Sequence, residues 1–426
     1  MFDMKHTILL LLVLATLASA SAAEAATYYV ATTGNNSNTC AQAQNVATPK
    51  QTIAAGISCM AAGDTVQVRA GSYHNQTIQG LPAGSDSAYS IVRNYPGERP
   101  IIGATSSFVR GVQMNMGASH HWEIRGFDFS GTAGSQYIFE CVEMFGAAPA
   151  DYPHHLRFID NKCHDTVNVG FLWYGNTAGT QGTDHYIAQN EWYNIGIGSP
   201  GYPPGMNTIY GTGSRTIVED NVFHNVVNGV AIWTAGYVMN DVIVRRNICY
   251  DLFRPSIDPW EGSSGGTCIA HTASGGRTKI YNNIIYRSGE SADSSAIYIN
   301  NGPNDIKIFN NTVYNLLHPN AEAVDANNAS NVVCRNNIAR QTGGFVGCNT
   351  ASNNLTTDPL FMNAANGNFH LLSGSPAIDA GQTLTDVLDD FDKITRPQGS
   401  TYDIGAFEVV NGSGPAMLPP TGLTAQ

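Results

Sequence analysis

The sequence predicts an all-β protein wound into a parallel β-solenoid. A short motif centred on Asn recurs at intervals of 26 to 36 residues, and each interval is about the length of one solenoid coil. The segments between these motifs alternate polar and apolar residues, with Gly and Asn at the bends and without helical periodicity. Charged residues make up only 13% of the chain while Gly occurs 44 times, which also favours β structure.

The Asn motif sets the frame of each unit. It occurs seven times, at Asn161, Asn190, Asn221, Asn247, Asn283, Asn311 and Asn337. An apolar residue stands three positions before each Asn and another two positions after it. A ring follows at the third position, replaced by Arg340 in the last copy, and a mostly polar residue at the fourth. A second short strand comes later in each unit. Stacked Asn amides donate to one coil and accept from the next, so the motif predicts a continuous ladder.

The coils over about residues 27–348 resemble those of the right-handed parallel β-helix proteins, the pectate-lyase-like superfamily. The segment "TPKQTIAAGISCMAAGDTVQVRAGSYHNQTI" is similar to the opening of many secreted bacterial members, in which an amphipathic helix caps the first coil. Ile53, Ile57 and Met60 have the spacing of such a helix. The resemblance therefore implies a single-stranded right-handed parallel β-helix with an N-terminal capping helix.

Five parts of the chain are expected. They are a signal peptide over 1–25, an N-terminal cap with the first coils over 26–118, β-helix repeats over 119–350, a C-terminal capping module over 351–410 and a linker over 411–426. The C-terminal module resembles the choice-of-anchor-type module of secreted bacterial β-helix proteins. In the linker, "PPTGLTA" resembles the first strand of a fibronectin-type domain, so a further domain could follow.

The first residues read as a secretory signal. Lys5 precedes an apolar run too short to span a bilayer, and Ala-x-Ala sites follow it. We therefore expect a secreted or cell-surface protein without a membrane span. The formal net charge of −12 argues against nucleic-acid binding. An acidic glycan would need a local basic patch or a bridging cation. We expect a monomer, although the sequence leaves the oligomeric state open.

All eight Cys follow the predicted signal, and an even number suits an oxidising compartment. Sequential pairing requires the least chain displacement, although other connectivities stay open. It joins Cys40 to Cys59, Cys141 to Cys163, Cys249 to Cys268 and Cys334 to Cys348. No C-x-x-C spacing is present, so the Cys pattern does not favour a zinc site.

The second strand of each unit suggests a contact surface. If its central aliphatic residue points inward, the next residue points outward. The outward positions then form an aromatic stripe with two carboxylates: Glu143, Trp173, Tyr210, Trp233, Ala270, Tyr298, Asp325 and Gly347. Exposed rings in a row favour sugar binding, so we expect an extracellular polysaccharide as partner. The alternative is that the rings pack under loops.

One unit carries an insert, "RNICYDLFRPSIDPWEGSSGGTCIAHT", just before the small Ala270. It is predicted to bring Arg254, Asp258, Trp260 and Glu261 over a notch at Ala270. Two similar inserts on earlier units, "NTAGTQGTD" and "NIGIGSPGYPPGM", would form the other wall.

Several functions suit these residues, and a uronate-polymer lyase leads. Arg254, His271 or Tyr210 would act as base, while Asp258 and Glu261 would hold a Ca²⁺ that bridges to the substrate. In a glycoside hydrolase, Asp258 or Glu261 would face Asp325. A uronate epimerase shares the proton abstraction. A non-catalytic glycan-binding or adhesin role would need only the rings.

The candidates also have structural interpretations. His271 follows an inward residue by two positions, which favours a hydrogen-bonded structural His. Asp258 precedes a Pro and can simply shape a turn. The Lys or Arg base with clustered carboxylates of the related lyases, and the paired Asp of polygalacturonases, are not matched here. The resemblance thus supports the fold more strongly than the reaction.

Overall fold

A computed structural model of the protein describes residues 24–105, 109–115, 119–131, 138–146, 153–175, 184–198, 207–232, 238–252 and 265–410. The chain winds into three parallel sheets, which we call sheets A, B and C, and each coil adds one strand to each sheet. The fold is a right-handed parallel β-helix, as the sequence predicts. No helix in the described ranges is long and apolar enough to cross a membrane.

The strands of each sheet stack in chain order. Sheet A contains Thr27–Val30, Thr65–Val68, Ser90–Asn94, His120–Arg125, His154–Ile159, Tyr186–Ala188, Ile217–Glu219, Ile243–Arg245, Lys279–Tyr281, Asn304–Phe309, Ser330–Arg335 and Thr350–Ser352, with Val238–Asn240 and Ser274–Gly276 at its side. Sheet B contains Ser72–His74, Ile101–Ala104, Asp128–Gly131, Lys162–His164, Glu191–Tyr193, Val222–His224, Ile248–Tyr250, Ile284–Tyr286, Thr312–Tyr314 and Ile338–Arg340. Sheet C contains Val109–Met114, Ile138–Gly146, Phe171–Gly175, Asn207–Tyr210, Asn228–Ile232, Ile269–His271, Ser295–Ile299, Glu322–Asp325 and Phe345–Val346.

The prediction of two strands per unit was wrong, because the bend at the Asn has a separate strand on each side of it and each coil therefore contains three strands. Sheet A ends just before each Asn and sheet B begins just after it. The residue before each Asn adopts positive φ, which turns the chain: Asp160, Gln189, Asp220, Arg246, Asn282, Asn310 and Asn336. A left-handed residue interrupts a strand, so one predicted strand becomes two.

The predicted Asn ladder is present at this bend. The side chain of Asn221 donates to Oδ1 of Asn247 at 3.0 Å, and Asn247 donates to Asn283 at 3.0 Å. The same bond recurs from Asn161 through Asn337, which donates to Asn354. The seven Asn of the motif are buried. Each amide is satisfied by its neighbours, so the ladder links coils without an unpaired polar group.

The interior is filled by the two apolar columns on either side of the Asn. Sheet A contributes one column and sheet B the other, and strand register aligns the members of each. The first column is Phe158, Ile187, Val218, Val244, Ile280, Ile308 and Cys334. The second is Cys163, Trp192, Phe223, Cys249, Ile285, Val313 and Ala339. All four predicted disulfides are formed.

Short helices lie near the chain start, at Cys40–Ala43 and Ile53–Ile57. Ile53 and Ile57 are buried, and the second helix packs on the first two strands of sheet A. Thr52 accepts a hydrogen bond from the amide of Ala55, which satisfies one free amide at the helix start. That this helix caps the solenoid stays a prediction.

The C-terminal segment, residues 356–410, lies along the flank of the solenoid. It contains an antiparallel pair, Phe361–Asn363 and Asn368–Leu371, and a 3₁₀ turn at Ala364–Asn366. Asp386 binds both Lys279 and Lys307 of sheet A at 2.7 Å. Lys279 and Lys307 belong to successive coils, so Asp386 links the C-terminal segment to two neighbouring coils of sheet A. That it also closes the far end stays a prediction.

Candidate functional site

The outer surface of sheet C carries one side chain per coil in a single file, which we call the sheet C face. Strand register places its members in a row: Gln113, Glu143, Leu172, Tyr210, Ala231, Ala270, Tyr298, Asp325 and Val346. Because neighbouring coils are about 4.8 Å apart, the file forms a straight surface along the helix axis.

Strand register places Glu143, Tyr210, Ala270, Tyr298 and Asp325 of the predicted stripe in this file, while Val346 stands where Gly347 was predicted. Trp173 was predicted to face outward, but it is 1% exposed and Leu172 occupies its place. A one-residue shift moves every side chain of a strand to the opposite face, and "FLWYG" has rings in both phases. Trp233 lies outside the described residues. The position between Tyr210 and Ala270 belongs to Ala231.

The prediction that His271 acts as a base at this surface is not supported by its position. His271 lies inside the solenoid and is 0% exposed, since it pairs in register with the inward Ile232 and Ile299. Burial lowers its pKa to about 4. Neither ring nitrogen has a hydrogen-bond partner among the described side chains and backbone.

The predicted loop residues Arg254, Asp258, Trp260 and Glu261 all lie outside the described residues. The Ca²⁺ site assigned to Asp258 and Glu261 therefore stays a prediction. The predicted notch at Ala270 has a counterpart in the structure, because Ala231 and Ala270 form a floor of two small residues between Tyr210 and Tyr298.

Beyond Tyr298, the sheet C face carries two acidic residues, Glu322 and Asp325. Asp325 follows Tyr298 by one coil, and Glu322 lies on the same strand. Burial, with a contribution from the charge of Asp325, raises the pKa of Glu322. The predicted residues Tyr298 and Asp325 thus come together, whereas Trp173 and His271 do not join them.

The opposite end of the face holds a cluster that sequence reasoning missed, and we call it the Arg110 cluster. Arg110 Nε lies 2.8 Å from Glu143 Oε2 and 3.2 Å from Glu140 Oε2. Gln113 donates to Glu143 at 2.7 Å, and Asn168 donates to Oε1 of Glu140 at 2.9 Å. The cluster places two buried carboxylates beside a guanidinium whose side chain is 37% exposed.

Glu140 is the titratable centre of this cluster. It is 1% exposed, and burial raises its pKa to about 7, although Asn168 and Arg110 oppose this rise. The approach of Arg110 to Oε2 has ion-pair distance but not the alignment of a hydrogen bond. Within the described part of the chain, that oxygen has no hydrogen-bond partner. A carboxyl group that changes protonation near neutral pH suits general acid–base chemistry.

A local irregularity explains why the sequence did not reveal the cluster. In a regular strand, residues three apart point to opposite faces, so Glu140 and Glu143 would not meet. Here the amides of Cys141 and Val142 both donate to the carbonyl of Gly170, at 2.9 and 3.0 Å. This β-bulge shifts the alternation by one residue and brings both carboxylates to Arg110. The only sequence signal is the pair of Glu within "IFECVEM".

Comparisons with known proteins agree on the fold. Neither a family model nor a curated protein matches the sequence. Among solved structures, the chain is similar to the pectate lyase Pel9A, with a TM-score of 0.62, 17% identity and coverage of 90% of this chain and 96% of that one. It is similar to XylC solved with xylose, with a TM-score of 0.53, 10% identity and coverage of 90% and 98%. A rhamnogalacturonan lyase gives a TM-score of 0.49 at 16% identity, with coverage of 85% and 97%. At these identities the likeness establishes a shared parallel β-helix fold.

Proposed function

We propose that the protein is a secreted enzyme that cleaves an extracellular polysaccharide, with its catalytic centre in the Arg110 cluster. The observation that carries the proposal is the contact of Arg110 with two carboxylates, one of which has a pKa of about 7. The rest of the sheet C face supplies a surface for the polymer, with Tyr210 and Tyr298 on either side of a floor of small residues. Secretion is supported by the predicted signal peptide and by four disulfides.

The reaction we favour is β-elimination of a uronate polymer. Ionised Glu140 takes the proton α to the uronate carboxylate, and Arg110 balances the charge that develops on that carboxylate. The electron pair of the broken C–H bond forms the double bond of the product. The glycosidic C–O bond breaks, and the leaving oxygen takes a proton from water.

Glycoside hydrolysis is the second candidate, and the paired carboxylates favour it. A hydrolase needs one carboxyl group that is protonated at working pH and one that is ionised. Burial raises the pKa of Glu140, so protonated Glu140 would donate to the leaving oxygen. Glu143, held by Arg110 and Gln113, would act as base or nucleophile.

The two reactions require opposite protonation states of Glu140, so the pH profile separates them. If Glu140 is the base of a lyase, kcat/KM rises as the pH increases through about 7. If Glu140 is the acid of a hydrolase, kcat/KM falls over the same range. The products differ as well, because only elimination gives unsaturated uronate that absorbs in the ultraviolet.

The test is an incubation of purified protein with acidic and neutral polysaccharides, with and without added Ca²⁺. Unsaturated products and new reducing ends are measured together. We expect Glu140→Gln to remove activity by a factor of about 10² to 10⁴ while the protein stays folded. Glu290→Gln makes the same chemical change at an exposed site and should leave activity unchanged. Full activity in Glu140→Gln would overturn the proposal, as would inactivity of the wild type on every polymer.

A further inference from the structure

Two successive coils carry paired histidines where sheet A begins, on a side of the solenoid away from the Arg110 cluster. The pairs are His120–His121 in "HHWEI" and His154–His155 in "HHLRF". Strand register places His154 directly on His120. The sequence analysis did not use this repeated pair, and the proposed function does not use it either.

The four imidazoles form a compact block, which we call the His cluster. His120 stacks on His154 with ring centroids 4.7 Å apart, and His121 stacks on His155 at 4.2 Å. Within each pair the two Nδ1 atoms are hydrogen-bonded, at 2.8 Å in the first and 2.6 Å in the second. Stacking and hydrogen bonding orient the rings, so the ring nitrogens of the two coils lie close to one another.

Three of these residues have the geometry of metal ligands. His121, His154 and His155 each offer one ligand atom, and these atoms all lie within 4.8 Å of one another. Zn–N bonds of about 2.0–2.1 Å place tetrahedral ligands about 3.4 Å apart, so small side-chain rotations would complete the site. Among the described residues, no other group of His, Cys, Asp and Glu meets this criterion.

A carboxylate lies next to the cluster, beside His121 and His155. Asp86 Oδ1 lies 3.0 Å from His121 Nε2 and 3.7 Å from His155 Nε2. Asp86 belongs to a turn closed by hydrogen bonds between Ser85 and Ala88, and its side chain is highly exposed. It can therefore move toward an ion without disturbing the solenoid.

The position that His121 and His155 occupy in their coils holds charged residues in the coils that follow. His121 and His155 adopt positive φ at the start of their strands, as do the residues that follow in register: Asp184, Arg215, Asp241 and Arg277. Those later residues form ion pairs, with Asp184 bound to Arg215 and Asp241 bound to Arg277. Acidic and basic residues therefore alternate at this position in the later coils, whereas the two earlier coils carry His121 and His155.

We propose that His121, His154 and His155, with Asp86, bind a divalent transition-metal ion such as Zn²⁺. Three imidazoles and one carboxylate are the ligand set that zinc accepts in four-coordinate sites, whereas Ca²⁺ prefers oxygen ligands throughout. With four protein ligands the site is closed and structural. It ties the turn of Asp86 to two coils, so bound metal stabilises the folded protein.

The test uses the full chain, made without a polyhistidine tag and freed of metal by chelator. We expect calorimetry to show binding of one equivalent of Zn²⁺, a higher melting temperature with Zn²⁺ than with Ca²⁺, and a tetrahedral absorption spectrum with Co²⁺. His154→Asn and His155→Asn should each lose stoichiometric binding, and Asp86→Asn should weaken it by about tenfold. His74→Asn, at an exposed His elsewhere, should behave as the wild type.

Asp86→Asn keeps the test valid if a His variant fails to fold, because this side chain is exposed and its loss leaves the stacked rings intact. Wild-type protein without stoichiometric Zn²⁺ binding would overturn the proposal. Equal Zn²⁺ affinity in the wild type and Asp86→Asn would remove Asp86 from the site, and equal affinity in both His variants would overturn the site itself. These readouts need no substrate, so they are independent of the proposed catalytic activity.

Discussion

The outer faces of sheets B and C are made by the same coils, yet they differ in how their side chains are used. On sheet B the same position holds a ring in six successive coils: His164, Tyr193, His224, Tyr250, Tyr286 and Tyr314. The first five rings stack on one another with centroids 4.4 to 5.3 Å apart. Each face of an inner ring is covered by its neighbour, so this ladder offers a ligand only ring edges.

The sheet C face changes residue type from coil to coil. It begins with carboxylates around Arg110, continues over Ala231 and Ala270, and ends at Tyr298 and Asp325. At the Arg110 end of this face, Glu140 Oε2 has no hydrogen-bond partner in the described part of the chain. On sheet B, similar rings in successive coils stack on one another and stabilise the coils. On sheet C, the side chains differ from coil to coil, so polar groups there are available for chemistry. A continuous row of rings, which the sequence analysis predicted for sheet C, is thus found on sheet B.

The largest expected effect separates the two faces by activity. Glu140→Gln on sheet C should lower kcat/KM by a factor of about 10² to 10⁴, because it removes the group that transfers the proton. Tyr250→Leu on sheet B should leave kcat/KM unchanged. Steady-state kinetics on whichever polymer is cleaved make the comparison. Equal losses in both variants would mean that the sheet B ladder also belongs to the site.

The next effect is a pH dependence of stability that originates on sheet B. Burial lowers the pKa of His164, but Asp128 and Asp165, at 2.9 and 2.7 Å, outweigh it and raise the pKa to about 9. Because the pKa of His164 is higher in the folded protein than in the unfolded chain, the protonated imidazole stabilises the folded state fully below about pH 6.5. This stabilisation is lost as the pH rises to about 9. It amounts to at most about 3 kcal/mol.

Urea unfolding at pH 6 and at pH 9.5 measures this contribution. Asp128→Asn removes one of the two carboxylates, so the loss of stability between the two pH values should shrink in that variant. Asp325→Asn changes an acid on the sheet C face and should keep the wild-type difference. An identical pH dependence in the Asp128→Asn variant and the wild type would refute the role of this His.

A smaller effect tests the ladder itself. Tyr250 stacks on His224 and Tyr286, and the guanidinium of Arg287 lies over its ring 5.7 Å from the centroid. Tyr250→Leu keeps an apolar side chain but loses these contacts, so the free energy of unfolding should fall by about 1–2 kcal/mol. Thermal or urea unfolding measures it, with Tyr250→Phe as the variant that retains stacking. Equal destabilisation by Leu and Phe would assign the effect to the hydroxyl group.

The smallest effect concerns the rings on sheet C. Tyr210→Ala should raise KM by about 2- to 10-fold with little change in kcat, because one sugar contact away from the reacting atoms is lost. Tyr298→Ala, on the other side of the Ala floor, should behave in the same way. A large fall in kcat for Tyr210→Ala would instead place its hydroxyl group in the reaction.

Much of the fold could be predicted because the sequence repeats. Asn221 and Asn247 stack because equal coils return equivalent residues to one position. The disulfides do not depend on this return, since Cys249 lies in sheet B and Cys268 lies just before the sheet C strand of the same coil, 19 residues later. What the repeat does not encode is the exact phase of each strand. Trp173 has the right type for an exposed stripe, but its strand is shifted by one residue and turns it inward.

The sequence by itself therefore determined the solenoid and its Asn ladder, since these depend on spacing that repeats along the chain. The sequential disulfide pairing was one of several open connectivities until the structure selected it. Only the tertiary structure decided the chemistry. A bulge after Glu140 joins two carboxylates at Arg110, and the stacking of two particular coils joins His121 to His155. The bulge is a local departure from regular alternation that the linear pattern does not mark. The repeated His-His pairs are visible in the sequence, but their contact follows only from the register of the two coils.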